Sequence, residues 1–105
     1  MSASWMSGYV GDVSYTRGFY RELAPTYLQA ACVFNGVQGP DPTQALRYCE
    51  LGCGRGYGTV LLAAANPNIE FVGIDFNPSH SAEARDLASR AGIRNVTFFE
   101  LAFGE

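Results

Sequence analysis

The chain has 105 residues, of which 48% are apolar and 16% charged, with a formal net charge of −3. Its length allows one small domain at most, and its composition is typical of a globular protein and not of a disordered one. The net negative charge and the lack of a run of basic residues argue against binding of nucleic acid, because a protein binds nucleic acid by neutralising several of its phosphates. No apolar stretch is long enough for a bilayer, and the first residues lack a secretory signal.

The three cysteines are an odd number without the spacing of a disulfide framework. We interpret Cys32, Cys49 and Cys53 as reduced thiols and expect a cytoplasmic protein. Cys49 and Cys53 do not combine with His80 in any usual zinc spacing, so no metal site is expected.

The first part of the chain contains one predicted helix. Residues 1–18 are polar and rich in glycine and aromatic residues, which indicates an arm with little regular structure. A helix is predicted from Pro25, which suits a first helical position, to the typical helix end at Asn35 and Gly36. The prolines and glycine of residues 39–42 then interrupt any regular element.

Strands and helices alternate over the rest of the chain. Short apolar stretches predict strands at 45–51, 70–75 and 95–101, with helices at 59–65 and 78–90 between them. Successive parallel strands joined by helices form right-handed crossovers. The pattern therefore predicts an α/β fold, a Rossmann-like parallel sheet with flanking helices.

A glycine-rich turn, with the sequence ELGCGRGYG, begins at Glu50 where the first strand ends. Gly52 and Gly54 allow a sharp turn in which no Cβ keeps a ligand away from the backbone, and Gly56 allows close packing where the helix starts. Ligands of open α/β sheets bind at the carboxyl ends of the strands. This turn is therefore the expected cofactor site.

Two acidic residues indicate the kind of ligand. Glu50 is a poor neighbour for a pyrophosphate and a good partner for a cation such as an amino group. The dinucleotide fingerprint G-x-G-x-x-G also fails here, because its third glycine would fall on Tyr57 or Thr59. Asp75 ends the second strand, where an acidic residue binds both hydroxyls of an adenosine ribose. The alternatives are an incidental charge for Glu50 and a turn or capping role for Asp75.

The acidic residues and spaced glycines resemble motif I and the acidic motif of class I S-adenosylmethionine-dependent methyltransferases, over roughly residues 48–101. Residues 9–23 and 73–78 are similar to a bacterial branch with a methyltransferase regulatory domain after the catalytic one. The resemblance implies transfer of a methyl group from S-adenosylmethionine to an unknown acceptor. It also implies an N-terminal fragment, inactive alone, that holds the first three strands of the fold. Residues 1–44 would be an arm and helix capping the cofactor site, and residues 45–105 the first half of the cofactor domain.

The resemblance implies roles for the residues that hold the methionine and ribose parts of the cofactor. Glu50 would anchor the amino group of the cofactor through water, and Asp75 would hold the ribose hydroxyls. The backbone of Gly52, Cys53 and Gly54 would line the methionine part.

Aromatic residues are implied to surround the rest of the cofactor. Phe76 would pack on the adenine with Asn77 beside it. Tyr15 and Tyr20 of the arm would fold over the cofactor as a lid, and their alternative role is ordinary packing. Many relatives carry an acidic residue just past the third strand, where this chain has Ala102, so backbone groups or Glu100 are left for adenine recognition.

Several points stay open from the sequence. Catalytic residues of the resembling family come mainly from beyond the third strand, so none is assigned. His80 is interpreted as a surface residue and Arg55 as a solvent-facing loop residue. A non-catalytic cofactor-binding or interaction module and, with less support, an NAD(P)-dependent oxidoreductase remain as alternative functions. The open edge of a three-stranded sheet also predicts self-association.

Overall fold

The computed structural model describes residues 19–102 of the chain. A short 3-10 helix, Arg21–Leu23, precedes alternating helices and strands. Their bounds are α1 Pro25–Phe34, β1 Leu46–Leu51, α2 Tyr57–Ala65, β2 Ile69–Asp75, α3 Pro78–Ala91 and β3 Val96–Glu100.

The three strands form one parallel sheet in the order β1-β2-β3. Glu50 of β1 lies opposite Gly73 of β2, and Asp75 of β2 lies opposite Glu100 of β3. Because all strands run the same way, their carboxyl ends meet at one edge of the sheet, which we name the carboxyl edge. The predicted α/β fold with a parallel sheet is confirmed.

Helices α2 and α3 pack on the same face of the sheet. Val60 of α2, Ala84 of α3 and Phe98 of β3 belong to one buried cluster, and Ala63 of α2 and Phe71 of β2 belong to a second. Along β2, every second residue is buried on this face. The core therefore lies between the sheet and these two helices.

The helix ends follow local signals in the sequence. Pro25 begins α1, and the side chain of Asn77 caps α3 by accepting a hydrogen bond from the backbone N–H of Ser79. Gly92 ends α3 in the left-handed conformation. Helix α2 begins two residues earlier than predicted, because Gly56 takes a left-handed conformation that lets the helix start at Tyr57.

The N-terminal helices differ from the prediction. The 3-10 helix was not predicted, and it is joined to β1 by the Tyr48 hydroxyl, which donates to the carbonyl of Leu23 at 2.6 Å. Within α1 only Pro25 is buried, and the apolar side chains of Tyr27 and Leu28 are exposed. Over residues 19–102, no helix has the length and apolar character needed to cross a membrane.

Candidate functional site

The glycine loop, residues 52–56, runs across the carboxyl edge between β1 and α2. The backbone N–H groups of Gly52 and Cys53 both donate to the carbonyl of Ile74, at 2.7 and 3.1 Å. Gly52, Gly54 and Gly56 have φ angles of 73°, 59° and 76°. A residue with a Cβ would be strained at all three positions. The spacing of the glycines therefore fixes the shape of the loop.

The outer side of the loop is open at Gly54. A Cβ built on Gly54 would meet no atom within 4 Å, whereas one built on Gly56 would collide with Ala84 and Phe98. Gly56 thus allows the close packing predicted for it, and Gly54 leaves space for a ligand beside the backbone.

Asp75 joins the end of β2 to the glycine loop. Its Oδ2 accepts a hydrogen bond from the backbone N–H of Gly54 at 2.8 Å, and its Oδ1 accepts one from the backbone N–H of Asn77 at 2.9 Å. The turn role considered for Asp75 is therefore present. A carboxylate offers about four lone pairs, so its hydrogen bonds to the protein leave acceptor capacity for a ribose hydroxyl. The ribose role itself stays a prediction.

His80 lies behind Asp75 and is 2% exposed. Its Nδ1 is 3.4 Å from Oδ1 of Asp75. The interpretation of His80 as a surface residue was wrong. A signal for burial was present, because His80, Ala84 and Ala88 follow at intervals of four residues and so share the buried face of α3.

Glu50 stands at the end of β1 with its side chain half-buried. Its Oε2 accepts a hydrogen bond from the hydroxyl of Thr59 in the first turn of α2. Sequence reasoning missed Thr59, although its spacing from Leu62 and Ala63 places it on the buried face of the helix.

The two carboxylates make the site electronegative. Burial, followed by the charges of Asp75 and Glu50, raises the pKa of the Cys53 thiol to about 12. The Cys53 side chain packs against β2, since a Cβ on Gly73 would lie 3.0 Å from its Sγ. Burial disfavours a charge of either sign, whereas the two carboxylates favour a cation, which is the ligand charge predicted from Glu50.

Two other residues predicted to hold the cofactor directly follow β2 at the carboxyl edge. Phe76 is half-buried directly after β2, and Asn77 is buried as the cap of α3. Tyr20 precedes the 3-10 helix with a largely exposed side chain, and its lid role stays a prediction. Tyr15 lies outside the described residues.

Two charged residues near the site are held by ion pairs with α3. Nε of Arg55, in the glycine loop, is 3.5 Å from Oε2 of Glu83, and its side chain is only 21% exposed. Arg55 is thus partly buried and not the solvent-facing residue that was expected. Glu100, considered for adenine recognition, pairs with Arg85 at 3.4 Å.

The histidine, cysteine, aspartate and glutamate side chains of residues 19–102 form no group of three suited to a metal ion.

The chain matches a family model described as "Methyltransferase domain" over residues 42–105. It is 49% identical over 102 residues to the uncharacterized protein sll1526 of Synechocystis, which covers 97% of this chain and 20% of that protein. A tRNA (guanine-N(7)-)-methyltransferase of Christiangramia forsetii is 43% identical over 49 residues, or 47% of this chain and 22% of that enzyme.

Among solved structures, PKMT2 from Rickettsia typhi in complex with AdoHcy superimposes with a TM-score of 0.75. The two chains are 24% identical, and the match covers 84% of this chain and 17% of that one. The chain therefore spans about a fifth of the length of sll1526 and of this structural neighbour. The similarity to PKMT2 is a similarity of fold.

Proposed function

This chain belongs to the methyltransferase domain family, and on that premise we propose that it binds S-adenosylmethionine at the carboxyl edge and that the full-length protein is a methyltransferase. The observation that carries the proposal is the position of two carboxylates, Glu50 near the end of β1 and Asp75 at the end of β2, next to a glycine loop that is open at Gly54. This arrangement suits a ligand that has a cationic part and a nucleoside part.

Each residue of the site has a distinct task in this proposal. Glu50 binds the ammonium group of the methionine part by charge and hydrogen bonding. Asp75 accepts hydrogen bonds from the ribose hydroxyls while it holds the loop through Gly54. Phe76, directly after β2, packs on the adenine.

The bound cofactor supplies a methyl group on a sulfonium ion for in-line displacement by the acceptor. The residues of this chain contribute orientation, because they hold the loop and both carboxylates in one geometry. Correct orientation of two reactants is worth roughly 7–11 kcal/mol in well-aligned systems. The carboxylates of Glu50 and Asp75 beside the loop also favour a cationic ligand.

The acceptor is not carried over from the relatives. The chain aligns with less than half of its length to the tRNA methyltransferase, and its net charge of −3 does not favour RNA. We propose the cytoplasm as the compartment, because the free thiols of Cys32, Cys49 and Cys53 are typical of a reducing environment.

Calorimetric titration of S-adenosylhomocysteine into the full-length protein tests the proposal, with NAD as the comparison ligand. Asp75→Ala is expected to abolish the binding seen for the wild type. Asp86→Ala is the matched control, because Asp86 is exposed on α3 and pairs with Arg90. Binding of NAD in place of S-adenosylhomocysteine, or equal binding by both variants, would contradict the proposal.

A further inference from the structure

Thr59 is a polar residue with a side chain that is almost completely buried, at 1% exposure. It lies in the first turn of α2, on the face that packs against the sheet. A buried hydroxyl without a hydrogen-bond partner costs free energy, so its partner identifies what the residue does. That partner is Glu50, whose Oε2 accepts the hydrogen bond from Oγ1 of Thr59.

The hydrogen bond constrains the carboxylate of Glu50. The last torsion of a glutamate side chain is broad, so an isolated carboxylate at a strand end turns freely. Thr59 is buried in the first turn of α2, so the packing around it restricts the directions that its hydroxyl can take. Glu50 and Thr59 come from β1 and α2, which flank the glycine loop, so their contact also ties the two sides of the loop together.

The contact with Thr59 uses one carboxylate oxygen of Glu50. Within residues 19–102, Oε2 has the Thr59 partner and no hydrogen bond to Oε1 is seen. Among these residues Oε1 keeps its acceptor capacity for a ligand, and the bond that Oε2 makes restricts the direction of Oε1.

We propose that Thr59 is a positioning residue, whose hydroxyl orients the Glu50 carboxylate toward the ammonium group of S-adenosylmethionine without touching the cofactor itself. The inference rests on the proposed function. It adds that recognition of the amino-acid part of S-adenosylmethionine depends on the buried residue Thr59. A purely structural Thr59 would affect every adenosine ligand alike, whereas a positioning Thr59 affects only ligands with the ammonium group.

The test compares two ligands of the full-length protein by calorimetry. S-adenosylhomocysteine carries the amino-acid part, and 5′-methylthioadenosine lacks it but keeps the adenosine and the thioether. Thr59→Val removes the hydroxyl at nearly constant volume. It is expected to lower the affinity for S-adenosylhomocysteine about tenfold, the change that corresponds to the loss of one hydrogen bond to a charged group. Its affinity for 5′-methylthioadenosine should stay within about twofold of the wild type, because contacts distant from Glu50 are unchanged.

Three further variants sharpen the comparison. Thr59→Ser keeps the hydroxyl and should recover most of the lost affinity, whereas Thr59→Ala should show the same ligand-selective loss as the valine. Thr97→Val is the matched control, because Thr97 is exposed on β3 and its replacement should change neither affinity. In a Glu50→Gln background, Thr59→Val should add less than about a twofold effect, since coupled residues are not additive.

The outcomes separate this inference from the proposed function. Equal weakening of both ligands by Thr59→Val and Thr59→Ala, or no weakening by either variant, overturns the positioning role alone. A wild-type protein that binds neither ligand overturns the proposed function and the inference with it.

Discussion

His80 and Asp75 face each other inside the protein, with Nδ1 of the histidine 3.4 Å from Oδ1 of the carboxylate. Their side chains are 2% and 7% exposed. The same carboxylate accepts hydrogen bonds from the backbone of Gly54 and Asn77. The end of β2, the glycine loop and the start of α3 therefore meet at the buried carboxylate of Asp75. A substitution of His80 is thus expected to affect Asp75, the residue proposed to hold the ribose.

Replacing His80 is expected to lower stability through this contact. His80→Ala removes a neighbour of a buried carboxylate and leaves a cavity, which together should cost about 2–4 kcal/mol of unfolding free energy. The measurement is urea unfolding of His80→Ala, Asp75→Asn and the double variant. We expect a smaller cost for His80→Ala when Asp75 is already replaced, and strictly additive costs would show that the two residues do not interact.

Gly73 is expected to be intolerant of any side chain. A Cβ at Gly73 would lie 2.6 Å from Cδ1 of Phe98, so Gly73→Ala should cost about 1–3 kcal/mol by overpacking. In a Phe98→Leu background, the smaller side chain relieves the clash and the cost should shrink. Unfolding measurements on the four proteins check this, and an equal cost in both backgrounds would refute the steric explanation.

The raised pKa of the Cys53 thiol should make the free energy of unfolding depend on pH in the alkaline range. Its pKa is about 12 in the folded protein against an ordinary value of 9.0. Above pH 9 the unfolded chain loses this proton first, so the unfolded state is favoured as pH rises toward 12. Cys53→Ala removes this effect and should lose less stability than the wild type as the pH rises from about 9 toward 12. The control is Cys49→Ala, since Cys49 is exposed, and a wild-type-like slope in Cys53→Ala would contradict the assignment.

We propose that the 105-residue chain self-associates when it is produced alone. Over residues 19–102, β1 pairs with β2 and with no other strand, so its second edge is open to another copy. Light scattering at rising protein concentration should show dimers or larger species. A monomer at every concentration would rule out this use of the β1 edge.

The fold could be predicted because its signals are local. Pro25, Asn77 and Gly92 mark helix boundaries by their own backbone and hydrogen-bonding properties. In the structure α1 begins at Pro25, and α3 lies between its caps Asn77 and Gly92. The glycines and two acidic residues could likewise be placed at one edge, because parallel strands end together. The resemblance to methyltransferases is confirmed by the family match.

The contacts behind the site could not be predicted in the same way. Whether His80 faces Asp75, or Thr59 faces Glu50, depends on how α2 and α3 rotate on the sheet, which is decided by packing of residues distant in sequence. The helical spacing of both residues indicated burial, but spacing names a face and not a partner.

The central claim is that the carboxyl edge binds S-adenosylmethionine, and a crystal structure of the full-length protein with S-adenosylhomocysteine tests it most directly. The account predicts the ribose hydroxyls within hydrogen-bond distance of the Asp75 carboxylate, the amino group at Glu50, and the thioether beside Gly54. A ligand bound elsewhere, or one whose amino group points away from Glu50, would contradict it.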